Sequence, residues 1–258
     1  MLLAFDDDGP GPVVVLLHGF PMDRTMWSFQ RSSVGAIYRL ITPDLRGHGH
    51  SAAPDGVYAI DDMADDVIET LDALQLTEPV ALGGLSMGGY VALSIAERYP
   101  ERLKALLLLN TRATADSPEA AGKRQEQADQ IEATGTIEPV IAAMLLKLFA
   151  ESTVEGHPDL VKRLHSQMSR TPARAVVGAL RGMATRPDRS AFLSQITIPT
   201  LVIAGLADAI VPIADARAMA AAITQSHFIA IPHAGHLSPL ENHQAVDAAI
   251  LGFLESLW

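Results

Sequence analysis

One serine lies in a glycine-rich segment that could carry out nucleophilic chemistry. Residues 84–88 read GLSMG, the form G-x-S-x-G, within the run VALGGLSMGGY. A serine hydroxyl is a weak nucleophile at neutral pH, so Ser86 would need a base within hydrogen-bond reach. The spacing predicts a strand that turns sharply into a helix, with Ser86 at the apex in a strained backbone conformation. The flanking glycines fit this turn, because strand and helix pass too close for side chains there.

The elements that would position this serine alternate along the chain. Short apolar runs predict strands at 13–17, 40–42, 80–83, 105–109, 201–204 and 228–231. Helical patterns follow at 60–74, 87–99, 213–223 and 245–257. Strands that alternate with helices of this size predict right-handed crossovers and a parallel sheet covered on both faces.

The alternation breaks once, between residues 112 and 190. This stretch contains no convincing buried strand and predicts helices at 123–133, 138–149, 158–168 and 173–183. We therefore expect a single domain whose core comprises residues 1–111 and 191–258. The helical block 112–190 would then be a cap over the ends of the strands.

Composition excludes several classes of function. The chain has 258 residues, 48% of them hydrophobic, and a net charge of −11 from 19 basic and 30 acidic residues. An acidic chain without a basic stripe is a poor partner for nucleic acid. Cysteine is absent, which excludes disulfides, thiol catalysis and thiolate metal sites. The first twelve residues do not resemble a signal peptide and no apolar run is long enough to span a membrane, so we expect a soluble, cytoplasmic protein that acts on a small molecule.

Several segments together resemble the α/β-hydrolase superfamily. They are HGFP at 18–21, DLRGHGHS at 44–51, and the order Ser86, Asp208, His236, with each of the three just beyond a predicted strand. The resemblance extends from His18 to the final helix. It implies an α/β-hydrolase fold, a mostly parallel central sheet flanked by helices with an inserted helical cap. It also implies that Ser86 is the nucleophile, Asp208 the acid and His236 the base.

The resemblance also selects among rival residues. Asp208 lies in GLADAIVP, which is similar to the family's G-x-x-D-x-x-V-P, whereas Asp215 falls within the following helical pattern. The family's G-H before a hydrophobic residue selects His236 over His233, which we interpret as a loop histidine. Some members take the acid from the loop after an earlier strand, but here that loop has no carboxylate until Asp116.

Two backbone N–H groups are the candidates for an oxyanion hole. The resemblance assigns these donors to Met87, at the start of the helix after the serine, and to Phe20. Pro21 has no N–H and could not serve. We expect His18 to brace this loop through side-chain hydrogen bonds rather than to act as a base.

The loop at 44–51 is interpreted as structural. Gly47 and Gly49 would permit unusual dihedral angles, and Arg46 would pair with a neighbouring carboxylate. His48 and His50 are taken as surface loop histidines, because no set of carboxylates and histidines with metal spacing accompanies them. The sequence therefore predicts no metal and no cofactor.

Apolar residues near the candidate site could form the walls of a substrate pocket. The predicted wall residues are Trp27, Met144, Phe149, Ile210 and Leu237. No Arg/Lys cluster is predicted to face this pocket, apart from Arg112 at the entrance of the cap. A highly anionic substrate is therefore not indicated.

Within the superfamily the type of nucleophile distinguishes the chemistries. A serine fits esterases, lactonases, C–C bond hydrolases and cofactor-free perhydrolases, and HGFP and PDLRGHGHS are most similar to the small carboxylesterase, enol-lactonase and perhydrolase branch. The resemblance thus implies hydrolysis of carboxylic esters of small to medium acyl size through a Ser86 acyl-enzyme. A lactonase similar to 3-oxoadipate enol-lactonase, with perhydrolase side activity, is the alternative. A non-catalytic ligand receptor on the same fold is the third hypothesis.

Overall fold

A seven-stranded sheet forms the centre of the molecule. The computed structural model describes all 258 residues, and the strand order in the sheet is β1-β3-β2-β4-β5-β6-β7. The strands are β1 (Phe5–Asp8), β2 (Val13–Leu17), β3 (Arg39–Pro43), β4 (Val80–Leu85), β5 (Leu103–Leu109), β6 (Thr200–Gly205) and β7 (Ser226–Ile231). β1 pairs antiparallel with β3, and every other pair is parallel. The prediction of an α/β fold with a mostly parallel sheet is confirmed.

The edge strand β1 has no counterpart among the predicted strands. Its sequence, FDDD, lacks the apolar run that identified the six parallel strands. Its three aspartates pair with arginines: Arg31 of the helix Ser28–Ser33 binds Asp6 and Asp8, and Arg39 of the neighbouring strand β3 binds Asp7. Charged side chains are common on edge strands because they discourage pairing with another chain.

Helices cover both faces of the sheet. Those of the core are α1 (Ser28–Ser33), α2 (Ile60–Ala73), α3 (Met87–Arg98), α9 (Ile213–Ala222), α10 (Ser238–Glu241) and α11 (His243–Glu255). α2 packs against α3, α1 packs against α11, and α9 packs against β6 and β7. All residues of β4 and β6 are buried, as expected for strands covered on both faces.

Five helices and no strand lie between β5 and β6. They are α4 (Pro118–Thr134), α5 (Glu138–Leu148), α6 (Glu151–Gly156), α7 (Pro158–Met168) and α8 (Ala173–Ala184). Local chemistry sets the bounds of α4, because the Ser117 hydroxyl caps its first turn and Gly135 ends it at a φ of 73°. α8 packs against α4. This segment, Pro118–Ala184, is called the helical insertion below.

No helix in the structure has the length and apolar character required to cross a membrane.

Candidate active site

Ser86 lies at a sharp turn between β4 and α3. Its φ of 54° and ψ of −112° are unfavourable for a side-chain-bearing residue. Neighbouring groups hold it there: its N–H donates to the Leu109 carbonyl at 3.0 Å, and its carbonyl accepts from the Thr111 hydroxyl at 2.8 Å. A Cβ on Gly84 would overlap the Gly88 carbonyl carbon and oxygen, so the turn requires glycine at these positions. The tight packing of the segment thus maintains a strained Ser86.

His236 and Asp208 form a buried pair next to this turn. His236 Nδ1 lies 2.9 Å from Asp208 Oδ2 and 3.1 Å from Oδ1. Because the carboxylate engages Nδ1, the ring's Nε2 is left free to exchange a proton. Burial opposes ionisation of Asp208, but its hydrogen bonds, led by that of His236, outweigh this effect and lower the pKa of the carboxyl.

Three further hydrogen-bond donors, from the loops that follow β5 and β6, hold the Asp208 carboxylate in place. The N–H groups of Ile210 and Val211 donate to Oδ1 at 2.8 and 2.9 Å. Asn110 Nδ2 donates to Oδ2 at 2.9 Å, and Asn110 Oδ1 accepts from the Ser238 hydroxyl at 2.6 Å. Asn110 directly follows β5. From the sequence, the loop that it begins was of interest only as another possible source of the carboxylate that pairs with the histidine. Its amide instead anchors the carboxylate supplied by the loop after β6.

Ser86 and His236 open onto the same cavity, which has a volume of about 230 Å³. Two of the predicted wall residues, Met144 and Ile210, also line it, and so does Phe20. The rest of the wall comprises Tyr90, Arg124, Gln127, Ala143, Lys147, Leu148, Leu180 and Met183. The cavity therefore lies between the ends of the strands and the helical insertion.

The other three predicted wall residues do not line this cavity. Trp27 and Leu237 are completely buried, and Phe149 is 5% exposed. Trp27 ends a short 3₁₀ helix, Arg24–Trp27, and Leu237 follows His236 directly in the chain. Closeness in sequence placed Leu237 near the site, but its side chain packs into the core. These three residues are therefore part of the hydrophobic core and not of the cavity wall.

The structure separates the rival residues from the cavity. His233 and Asp215 are exposed, the former in the loop after β7 and the latter in the first turn of α9. Asp116 is buried and binds two arginines, Arg124 at 2.6 Å and Arg186 at 2.8 Å. None of the three contacts His236 by a hydrogen bond.

The backbone N–H groups of Phe20 and Met87 take part in none of the turn, loop or cap hydrogen bonds. Met87 is the first residue of α3, where an N–H has no partner within the helix. Phe20 lies two residues after His18, whose ring is hydrogen-bonded at both nitrogens. Nδ1 lies 2.9 Å from the Gly19 carbonyl oxygen, and Nε2 accepts from the Leu45 N–H at 2.8 Å. The ring of His18 therefore ties the loop after β2 to the loop after β3.

His18 and His48 are both completely buried, with ring centroids 5.1 Å apart. Burial lowers the pKa of His18 to about 4. Burial, reinforced by the nearby His18, lowers the pKa of His48 to about 3. An imidazole that must accept a backbone N–H, as His18 does, cannot also carry a proton at that nitrogen. The two rings are thus neutral at pH 7.

The loop after β3 has the structural character that its sequence indicates, except that His48, expected at the surface, is completely buried against His18. Arg46 forms a two-pronged pair with Asp66, at 2.7 and 2.9 Å. Gly47 and Gly49 have positive φ angles of 82° and 53°. His50 is exposed and its Nδ1 lies 3.1 Å from Arg24 Nη2.

A carboxylate that sequence reasoning missed links the histidine loop to the helical insertion. Glu241 Oε1 accepts from the N–H of Gly235 at 2.8 Å and of Leu237 at 3.2 Å. Its Oε2 accepts from the Ala150 N–H and the Thr153 hydroxyl, both at 2.8 Å. Burial raises the pKa of this carboxyl in spite of these donors. The link is reinforced by the Leu148 carbonyl, which accepts from the N–H of His236 at 3.0 Å.

Two cations that the sequence did not place at the pocket line the cavity wall, one of them paired with a carboxylate, Asp116. Arg124 comes from α4 and Lys147 from α5, and both line the cavity. Arg112, the one cation expected near the entrance, instead hydrogen-bonds through Nη2 to the Ile210 carbonyl and does not line the cavity. The helix patterns did not show which face of α4 and α5 would point inward, so these residues could not be selected from the sequence.

Comparison with known proteins shows the same fold over nearly the whole chain. Residues 12–243 match a family described as having the alpha/beta hydrolase fold. The chain is 29% identical over 239 residues to 3-oxoadipate enol-lactonase 2 of Acinetobacter baylyi, which covers 93% of this chain and 87% of that protein. Among solved structures, a thermophilic esterase from Thermogutta terrifontis has a TM-score of 0.96 and 43% identity, covering 99% of this chain and 93% of that one. The enol-lactonase from Burkholderia xenovorans LB400 has a TM-score of 0.91 and 28% identity, covering 98% and 96%.

Proposed function

Because the chain belongs to the α/β-hydrolase family, we propose that it is a serine hydrolase that cleaves carboxylic esters of small to medium acyl size. One observation carries this proposal. Ser86, held at a φ of 54°, opens onto the same cavity as His236, whose Nδ1 is fixed by Asp208 at 2.9 Å. A nucleophile, a base and an oriented carboxylate in that relation are the parts needed for acyl transfer.

In the proposed acylation step, Ser86 Oγ attacks the ester carbonyl carbon while His236 Nε2 takes the hydroxyl proton. Negative charge develops on the carbonyl oxygen, and the N–H groups of Phe20 and Met87 would stabilise it. Asp208 holds the imidazole in the tautomer with Nδ1 protonated and stabilises the imidazolium that forms. His236 then returns the proton to the leaving alkoxide, which departs as the alcohol and leaves an acyl group on Ser86.

The deacylation step repeats this chemistry with water. His236 Nε2 removes a proton from water, the hydroxide adds to the acyl carbon, and Ser86 Oγ leaves and recovers its proton from the imidazolium. The products are a carboxylic acid and the free enzyme. Hydrogen peroxide in place of water would give a peracid, which is the perhydrolase side reaction.

The helical insertion would serve as a cap that sets the size of the substrate. It contributes eight wall residues to the cavity: Arg124, Gln127, Ala143, Met144, Lys147, Leu148, Leu180 and Met183. A cavity of about 230 Å³ suits a small or medium acyl chain better than a long lipid chain.

A lactonase is the second candidate function. Similarity to two enol-lactonases supports it, and the proposed groups can open a cyclic ester by the same steps. The leaving alkoxide would then remain attached to the acyl group. Esterase and lactonase thus differ in substrate rather than in the arrangement of residues.

The test measures hydrolysis of 4-nitrophenyl acetate and butyrate by the wild type, Ser86→Ala and a matched control, Ser32→Ala. Ser32 is exposed on α1 and remote from the cavity wall. Loss of a catalytic serine lowers kcat by about a millionfold in well-studied serine hydrolases. We expect a loss of at least about a thousandfold in Ser86→Ala and none in Ser32→Ala.

A fluorophosphonate probe should label the wild type and not Ser86→Ala, as read by intact mass. No turnover by a folded wild type would reject the esterase mechanism and favour a non-catalytic receptor. Equal turnover by Ser86→Ala would reject Ser86 as the nucleophile. Lactones and linear esters assayed on the same preparation would separate the two enzymatic candidates.

A further inference from the structure

The loop after β2 receives hydrogen bonds from the helical insertion as well as from the core. This loop, residues 18–25, is called the donor loop below, because it carries Phe20, whose N–H is a proposed oxyanion donor. Its bonds to the core lie near its two ends. His18 binds the loop after β3, and the Arg24 N–H donates to Asp44 Oδ1 at 2.8 Å. The middle of the donor loop therefore depends on other partners.

Phe20 and Pro21 form the corner of a turn that has few hydrogen bonds of its own. The Met22 N–H closes this turn by donating to the Gly19 carbonyl at 3.0 Å. The N–H and the carbonyl of Phe20 take part in no main-chain hydrogen bond of the loop, and Pro21 has no N–H. The Pro21 carbonyl accepts one hydrogen bond, from the hydroxyl of Thr171 at 2.9 Å. The group that fixes the chain next to Phe20 thus comes from the helical insertion.

Gln167, four residues before Thr171, binds the second half of the donor loop. Its side-chain amide donates to Asp23 Oδ1 at 2.5 Å and to the Thr25 hydroxyl at 2.9 Å. Gln167 lies in the last turn of α7, and both it and Thr171 are buried, at 7% and 6% exposure. Two buried side chains of the insertion therefore hold the donor loop on either side of Met22.

The segment that carries Thr171 is itself fixed on the core. α8 begins two residues after Thr171 and packs closely against the buried Tyr58. The Tyr58 N–H donates to the Gly178 carbonyl at 2.9 Å, and a Cβ on Gly182 would lie 1.6 Å from the Tyr58 carbonyl oxygen. A helix in such close contact cannot shift without disrupting the packing of both surfaces. Thr171 therefore presents its hydroxyl to the donor loop from a fixed position.

We propose that Thr171 is a positioning residue for the oxyanion hole, which it serves by holding the Phe20 N–H in place through the Pro21 carbonyl, with support from Gln167. This assignment rests on the proposed hydrolysis at Ser86. An oxyanion donor is effective when it is already in position as the charge develops. A buried carbonyl that loses its hydrogen bond turns towards another donor, and rotation of the Pro21 peptide would move Phe20 with it. The helical insertion would then contribute to the chemical step as well as to the size of the cavity.

The test replaces Thr171 by valine, which has the same shape without the hydroxyl, and by serine, which keeps the hydroxyl. The matched control is Thr200→Val. Thr200 is a completely buried threonine whose hydroxyl also donates to a main-chain carbonyl, that of Ile198 at 3.1 Å. It lies at the start of β6, the end of the sheet remote from Ser86. Thr200→Val therefore removes a similar buried hydrogen bond away from the donor loop.

Three quantities are measured for each variant. They are kcat/KM for 4-nitrophenyl butyrate and the inhibition constants, Ki, of 1,1,1-trifluoropentan-2-one and of pentan-2-one. Ser86 Oγ adds to the carbonyl carbon of the trifluoromethyl ketone, the hydroxyl proton passes to His236, and the hemiketal oxygen becomes negative as in the tetrahedral intermediate. Pentan-2-one has the same carbon chain and an unactivated carbonyl, so its Ki reports on the cavity alone.

Thr171→Val should lower kcat/KM by about tenfold. This is less than the roughly 10²–10³-fold loss that follows removal of an oxyanion donor, because the Phe20 N–H is displaced and not deleted. The Ki of the trifluoromethyl ketone should rise by about the same factor, and the Ki of pentan-2-one should stay constant. Thr171→Ser should restore the wild-type values, and Thr200→Val should leave all three quantities unchanged.

Wild-type kcat/KM in a folded Thr171→Val, or equal losses in Thr171→Val and Thr200→Val, would overturn the assignment. So would a loss of activity with an unchanged Ki of the trifluoromethyl ketone, or an equal rise in both Ki values, because the hydroxyl would then act on something other than the oxyanion.

A second variant, Gln167→Met, decides by the same criteria if Thr171→Val does not fold, as judged by circular dichroism. Its expected loss is smaller, because its contacts lie further along the chain from Phe20. The proposed function would stand in all of these failures, since the wild type would still hydrolyse the ester through Ser86. Absence of turnover by the wild type would instead overturn the proposed function itself.

Discussion

Acidification from pH 7 to pH 5 should destabilise this protein through two buried histidines. Burial lowers the pKa of His18 from 6.5 to about 4 and, together with its neighbour His18, lowers that of His48 from 6.5 to about 3. Between these values and 6.5 the unfolded chain binds protons that the folded chain does not. Stability is therefore fully present above about pH 6.5 and is lost as the pH falls towards the folded-state values.

The magnitude follows from the number of protons. Each histidine that titrates only in the unfolded state changes the free energy of unfolding by about 1.4 kcal/mol per pH unit. From pH 7 to pH 5 the two together would cost about 4 kcal/mol, a large share of the roughly 5–15 kcal/mol typical of a folded protein. At about 2–4 °C per kcal/mol for a chain of this size, Tm should fall by about 8–16 °C.

Other titrating groups affect this window little or in the opposite direction. The aspartates with lowered pKa, including Asp23 next to His18, exchange protons below 3.8. Glu241 has a raised pKa, so the folded state takes up its proton more readily and part of the loss is offset. The net slope between pH 6.5 and pH 5 should still show stability rising with pH.

The assay is urea unfolding at pH 7, 6 and 5, followed by circular dichroism. The informative variant is His48→Asn, because the asparagine amide can replace Nδ1, which lies 2.9 Å from the Arg46 carbonyl, and does not titrate. We expect the pH slope to be about half that of the wild type. The control is His227→Gln, which removes an exposed histidine of β7 and should leave the slope unchanged. A wild-type free energy that is flat from pH 7 to pH 5, or an undiminished slope in His48→Asn, would refute the reasoning.

Two further substitutions test the groups around His236. Asp208→Asn should keep the fold and lower kcat by about 10⁴-fold, because an amide facing Nδ1 stabilises the wrong imidazole tautomer. The measurement is steady-state kinetics, and a kcat near the wild-type value would mean that another residue supplies the acid. Glu241→Gln should lower the free energy of unfolding by about 1–3 kcal/mol, because one amide cannot accept from donors on both sides. Glu241→Gln should also lower kcat, because it would displace the His236 loop. The control is Glu255→Gln, which changes an exposed residue and should alter neither stability nor kcat. If Glu241→Gln left both stability and kcat unchanged, the role given to this carboxylate would be contradicted.

The parallel strands were predictable because a strand covered on both faces is a nearly continuous apolar run, as VVVLL at 13–17 and ALLLL at 105–109 are. β1 was not predictable by this criterion, since FDDD lies at an edge and owes its place to pairing with β3 and to arginines from distant segments. Short helices such as α6 and α10 were missed for a related reason. With 6 and 4 residues, they carry too few turns to show a helical period.

At the candidate site, the sequence predicted the residues whose positions depend on where strands end. Ser86, Asp208 and His236 each follow a parallel strand, and the carboxyl ends of such strands lie at one edge of a sheet. Wall residues depend instead on how helices are oriented against the core. Two residues show how such predictions fail. Trp27 was expected at the cavity but is buried in the core, and Lys147 was not expected there but lines the cavity.

The contacts of Glu241 and Leu148 determine where this enzyme can change its specificity in evolution or by engineering. The main chain from Leu148 to Ala150 is hydrogen-bonded to the N–H of His236 and to the side chain of Glu241, so an insertion or deletion there would displace His236 together with the adjacent cavity wall. The preceding turns of α5 present Ala143, Met144 and Lys147 to the cavity through their side chains. Libraries aimed at a new acyl group should therefore vary those three side chains and keep the chain length after Leu148 constant.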